Sequence, residues 1–124
     1  MSEKAHLDAV VALLTTLGAE PRTLQELVDA TSLPAYYTEV HVMQRATEGA
    51  RRSGAPSQVQ QWRVLLRSVA QRYANAQEMR RRAGGLHEAR LTVAGETYFV
   101  ERSVADDPIA ADDGWWSGTS EFTY

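Results

Sequence analysis

The chain has 124 residues, 44% of them apolar and 23% charged, and contains no cysteine. That length suits one hydrophobic core and excludes two domains of ordinary size, while the missing cysteine excludes disulfides, thiol catalysis and thiolate metal sites. The formal net charge of −3 hides a segregation: residues 1–44 sum to −4, residues 45–90 to +7 and residues 91–124 to −6. All ten cations of the middle block are arginine, whose planar fork suits phosphate and carboxylate. A basic block between acidic ends implies a polyanion site, an internal clamp between the blocks, or both. No stretch approaches the ~18 apolar residues of a membrane helix, so no membrane partner is expected. The opening Met-Ser-Glu-Lys does not read as a secretory signal, and the expected compartment is the cytoplasm.

Residues 3–17 read as a helix, with Leu7, Val10, Val11, Leu14 and Leu17 at i, i+3, i+4, i+7 spacing and Gly18 as the stop. Thr23 and Glu26 form a capping box ahead of Leu24, Leu27 and Val28, which predicts a short helix ending near Ser32. Pro34 suits a first helical position, and a third helix is expected from there to about Glu48, with Tyr36, Val40, Met43 and Thr47 on one face. These three helices would form a bundle over residues 1–50, followed by a loop at 51–56.

Over residues 57–83 a long helix is expected, opened by Ser57 with Gln60 and closed by Gly84-Gly85. Val59, Trp62, Leu66, Val69, Tyr73 and Ala76 alternate spacings of three and four, the pattern of a heptad seam. At ~1.5 Å per residue such a helix would be roughly 40 Å long, too long for the first three helices to cover. A homodimer through Val59, Trp62, Leu66, Val69 and Tyr73 is therefore expected. Packing of the seam within its own chain is the alternative.

Residues 86–104 carry two short strand-type runs, Ala89–Val93 and Thr97–Arg102, separated by Ala-Gly-Glu, which read as a β-hairpin. Residues 105–124 are an acidic tail holding Trp115, Trp116, Phe122 and Tyr124, and this aromatic content suggests docking on a partner through Trp115 and Trp116. The fold class expected from these elements is mainly α with a small β-hairpin.

The run from Thr23 to Pro34, Thr-Leu-Gln-Glu-Leu-Val-Asp-Ala-Thr-Ser-Leu-Pro, resembles the first half of the helix-turn-helix in winged-helix regulators such as the IclR-like repressors. The resemblance covers residues 5–50 at most. It implies that the helix after Pro34 is a recognition helix and that residues 89–102 are the wing. Tyr37, Thr38, His41, Gln44 and Arg45 would then face DNA, with Arg51 and Arg52 on phosphates. Glu39 and Glu48 lie in the same segment, and phosphates would repel them.

No P-loop, G-x-S-x-G or H-E-x-x-H occurs, so no enzyme, cofactor or metal is expected. Three functions follow as expectations. The first is a small homodimeric DNA-binding regulator acting through the N-terminal helix-turn-helix. The second is an interaction module or inhibitor, with nucleic-acid mimicry as one route, that docks on a basic partner protein through its acidic surfaces and the Trp115-Trp116 tail. The third is a structural assembly subunit without DNA affinity.

Overall fold

A computed structural model describes residues 3–45 and 61–124. In chain order these form α1 (Glu3–Thr16), β1 (Pro21–Thr23), α2 (Leu24–Asp29), β2 (Tyr36–Arg45), β3 (Gln61–Ala70), α3 (Tyr73–Ala83), β4 (Arg90–Val93), β5 (Glu96–Phe99), β6 (Glu101–Arg102), β7 (Ala110–Asp112) and β8 (Trp115–Thr123). The main sheet is mixed and six-stranded, ordered β1-β2-β3-β8-β6, with β7 also paired to β8. β1 runs parallel to β2 and the other pairs are antiparallel, while β4 and β5 form a separate hairpin.

Strand makes up 42% and helix 32% of the described residues, which corrects the mainly α expectation. Residues 36–45, expected in a recognition helix, are β2. Residues 61–70, expected in the middle of the long helix, are β3, and only Tyr73–Ala83 of that segment is helical. The physical reason lies in the side chains. Tyr36-Tyr37-Thr38 and Val40-His41-Val42 in β2, and Trp62, Val64 and Val69 in β3, are the aromatic and β-branched types that fit a pleated surface. The acidic tail is no tail either: Trp115–Thr123 is an interior strand paired residue for residue with β3, from Ala70↔Trp116 to Arg63↔Thr123.

Three local expectations hold. α1 ends at Gly18, which takes a positive φ of 75° and lets the Ala19 amide donate to the Leu14 carbonyl at 3.0 Å. That six-to-one bond is a Schellman stop. The capping box at α2 is present, with the Thr23 side chain accepting from the Glu26 amide and the Glu26 carboxylate accepting from the Thr23 amide. The hairpin forms as β4–β5 around Ala94-Gly95, both at positive φ, as a tight primed turn requires. Arg102 leaves this hairpin to join the main sheet as part of β6.

Both longer helices lie on one face of the sheet. From that face Trp62, Val64, Leu66, Ser68 and Ala70 of β3, with Val40 of β2 and Phe122 of β8, point into the interior. Val10 and Leu14 of α1, Ala83 of α3, Leu86, Leu91, Val93 and Val100 complete one contiguous core. Each fully buried Val, Leu or Phe side chain among these contributes about 1.5–3 kcal/mol. At one end His6 of α1, 1% exposed, stacks on Trp62 with ring centroids 3.7 Å apart, and its Nδ1 lies 2.8 Å from the Tyr124 hydroxyl.

Candidate interaction surface

Because successive strand residues point to opposite faces, the pairing register fixes what the second face of the sheet presents. From β2 come Tyr37, Glu39, His41 and Met43; from β3 come Arg63, Leu65, Arg67 and Val69; from β8 come Trp115, Ser117, Thr119, Glu121 and Thr123. α1 and α3 both lie on the other side, so this face is open in the sense that neither longer helix covers it, although Tyr37 is only 3% exposed. Tyr37, Val69 and Trp115 form a cluster at one end, whereas Leu65 lies apart between His41 and Glu121. The Tyr37 and Trp115 rings meet edge to face with centroids 6.3 Å apart, and Val69 on the intervening strand is only 4% exposed. A groove of about 140 Å³ at the β8 side is lined by Arg63, Leu65, Val104, Ala105, Asp107 and Thr119.

The charges on this face cancel in pairs. Arg67 contacts Glu39 at 3.0 Å, and Arg63 donates to Glu121. His41 lies 3.6 Å from Glu39. Exposed pairs of this kind add little stability, about 0–1 kcal/mol each, but they leave the face without a net field. Glu39 shares the face with Tyr37 and His41, so the acidic residue sits among groups that were expected to contact DNA.

The sequence-predicted site residues therefore divide. Tyr37 and His41 do share the open face, but on a strand rather than a groove-reading helix. Thr38 and Gln44 point to the opposite face, and Thr38 is fully buried, so it contacts no external ligand. Arg51 and Arg52, and Val59 of the expected dimer seam, lie outside the described residues. The rest of that seam is dispersed: Trp62 and Leu66 are buried in the covered face, Val69 is on the open face, and Tyr73 begins α3. Among the described residues no continuous helical stripe exists for a coiled coil. Trp115 and Trp116 also part company, Trp115 on the open face and Trp116 on the covered face against Tyr73 at 5.1 Å.

Two arginines of the basic block do face the acidic C-terminal segment, as an internal clamp requires. Arg63 binds Glu121, and Arg80 reaches Asp106 at 3.8 Å and donates to the Asp107 carbonyl. Others serve their own neighbourhoods. Arg81 and Arg82 bind Glu78, whose carboxyl they hold down at about 2 by hydrogen bonding, the Arg81 bond being the larger cause. Arg82 also donates to the Gly18 carbonyl at 3.1 Å, tying α3 to the end of α1. Arg90 lies over the Phe99 ring.

Leu65 and Met43 belong to the open face but were missed from sequence, because a helical period was fitted to both segments. The alternation Tyr37, Glu39, His41, Met43 was the available signal. No helix among the described residues is long and apolar enough to cross a membrane. No group of three or more His, Asp or Glu among the described residues is placed to hold a metal.

Neither a known protein-family profile nor a curated protein sequence matches the chain. A solved structure that carries no descriptive name is similar in fold at 14% identity and a TM-score of 0.62, over 99% of this chain and 94% of that one. Likeness at that identity establishes a shared fold alone.

Proposed function

We propose that this chain is a non-enzymatic assembly subunit that pairs with a second copy of itself through the open face of its sheet. The observation that carries this is the composition of that face: half-buried Leu65, Met43 and Trp115 alongside a Tyr37 and Val69 that are already buried, flanked by charges already cancelled within the face. A polyanion would gain no field from such a surface, and two copies apposed would not repel. Apolar centre and polar rim is the anatomy of protein interfaces. Two ten-residue strands and one of nine span roughly 33 by 14 Å, so a self-docked pair buries on the order of 1,000 Å², the lower limit for a specific interface. The expected dimer is therefore weak and concentration-dependent.

The recognition-helix route to DNA is not carried forward, since residues 36–45 are a strand and Thr38 is buried. Sedimentation velocity between about 5 and 500 µM tests the proposal, with Leu65→Glu as the perturbation. Leu65 lies on the open face, so the charge is tolerated in the monomer and obstructs only the pair. The expected result is a concentration-dependent rise in mass that Leu65→Glu abolishes while the urea midpoint stays within error. A chain that is monomeric throughout, or a dimer indifferent to Leu65→Glu, refutes it. A mobility shift of DNA at ~50 mM salt would instead restore the nucleic-acid function.

A further inference from the structure

A second feature lies on the helix-covered side of the sheet and does not depend on assembly. An open cleft of about 440 Å³ is lined by Gln77, Arg80, Arg81, Gly84, Arg102 and Asp106. Three guanidiniums face it against one carboxylate. Including Arg82 and Glu78 on the same helix, four guanidiniums share two carboxylates, whereas Arg63 and Arg67 on the sheet are each matched singly. The Asp107 carboxylate, nearest in sequence, is committed to the Thr119 hydroxyl.

Two of the cleft arginines are held in place. Arg102 donates to Asp106 and lies over the Phe122 ring, with its guanidinium carbon 5.2 Å from the centroid. Arg80 is fixed by the Asp107 carbonyl and by Asp106. The backbone makes room for both. A Cβ on Gly84 would stand 3.2 Å from Arg102 Nη2, and one on Gly118 would stand 3.2 Å from Arg80 Nη1 and 3.0 Å from Ile109 Cγ1. Gly84 has φ −61°, and Gly118 lies inside β8, so neither glycine is required by a left-handed backbone. Glycine within a strand commonly marks a close approach, and at Gly118 the approaching groups are the Ile109 side chain and the Arg80 guanidinium. Each guanidinium carries five donors, more than the two oxygens of Asp106 can accept. The volume falls within the ~300–1,000 Å³ of small-molecule sites.

We propose that this cleft binds a phosphate oxyanion, with Arg81 and Arg102 as its charged ligands, Arg80 as the second wall and Gln77 as a neutral hydrogen-bonding group. Arg80 and Arg102 have already lost their rotamer freedom, Arg81 is oriented by its two hydrogen bonds to Glu78 and keeps its other donors for a ligand, and bidentate Arg–phosphate geometry supplies the selectivity over chloride. Arg81 is the most exposed of the three, which makes it the variant of choice.

The test is a titration of the full chain with inorganic phosphate and, separately, glycerol 3-phosphate at fixed ionic strength, read by amide and arginine Nε NMR shifts. Saturable shifts at Gly84 and at the Arg81 and Arg102 Nε groups are expected in the millimolar range or tighter. Arg81→Gln should weaken binding at least fivefold with no change in thermal midpoint, and Arg63→Gln on the open face should not weaken it. Tighter binding of the ester assigns a phosphomonoester, equal binding assigns free phosphate, and either upholds the site. Non-saturating shifts with both probes, shifts reproduced by chloride, or binding unchanged in Arg81→Gln overturns it.

Discussion

Among the described residues, three hydroxyls beneath the helices are buried without a hydrogen-bond partner: Thr38 on β2, Ser68 opposite it on β3, and Ser120 on β8. Their residues are 0%, 1% and 3% exposed. A buried hydroxyl that loses water and gains nothing costs about 1–3 kcal/mol. Thr38→Val replaces the hydroxyl with a methyl of the same shape, and should stabilise the chain by about 1–2 kcal/mol. Ser68→Ala and Ser120→Ala each leave a small void that offsets part of the gain, and about 0.5–1 kcal/mol is expected. For a chain of this length a kcal/mol shifts Tm by about 4 °C, so Thr38→Val should melt several degrees higher. Thr38 and Ser68 are direct cross-strand neighbours, so their double variant reports coupling and need not equal the sum. Urea unfolding at constant m, with thermal melts alongside, measures all of this. A loss of more than ~1 kcal/mol in Thr38→Val would refute the reasoning, because it would mean the hydroxyl is bonded through an enclosed water.

Two further outcomes follow from the core. Burial holds the His6 imidazole below its ordinary pKa, so the folded chain refuses a proton that the unfolded chain accepts near pH 6.5. Stability should therefore be fully retained above pH ~6.5 and fall as the pH drops below it, by at most about 1.4 kcal/mol per unit. His6→Gln should flatten that part of the urea-midpoint profile, and an unchanged slope would show that His6 is not its source. Phe122→Ala removes a fully buried ring from an interior strand and should cost about 3–5 kcal/mol in urea unfolding; a cost below 1 kcal/mol would mean that β8 is not packed as described.

What the sequence revealed depended on whether one period alone fitted. α1 was legible because Leu7, Val10, Leu14 and Leu17 fit only a helix, and Gly18 stands where a left-handed residue is needed. The capping box and the β4–β5 turn were legible because their chemistry is local. β3 was not. Trp62, Leu66 and Val69 satisfy a heptad, yet Trp62, Val64, Leu66, Ser68 and Ala70 satisfy alternation, and the polar Ser68 concealed the second pattern. Val69 strengthened the wrong period, since it is apolar and buried yet belongs to the opposite face from Trp62 and Leu66, beside Tyr37 in register. Asp113-Gly114, both at positive φ, is the strongest hairpin signal in the chain, and it was subsumed in the acidic composition around it. Of the candidate surface, Tyr37, His41 and Trp115 were identified singly. Their convergence depends on strand order, and no local pattern in the sequence encodes that order.

The position of β8 has a consequence for how the chain comes to be folded. Leu66 and its cross-strand partner Ser120 are 54 residues apart, and β8 also receives β6 and β7. During synthesis α1 and the β2–β3 pair emerge with one long strand edge unpaired and half the core unroofed. Nothing made before Trp115 can close that edge, so the whole sheet becomes cooperative in a single late step. Folding should be slow for the chain's size, and the edge of β3 is the surface most exposed to mispairing until β8 arrives.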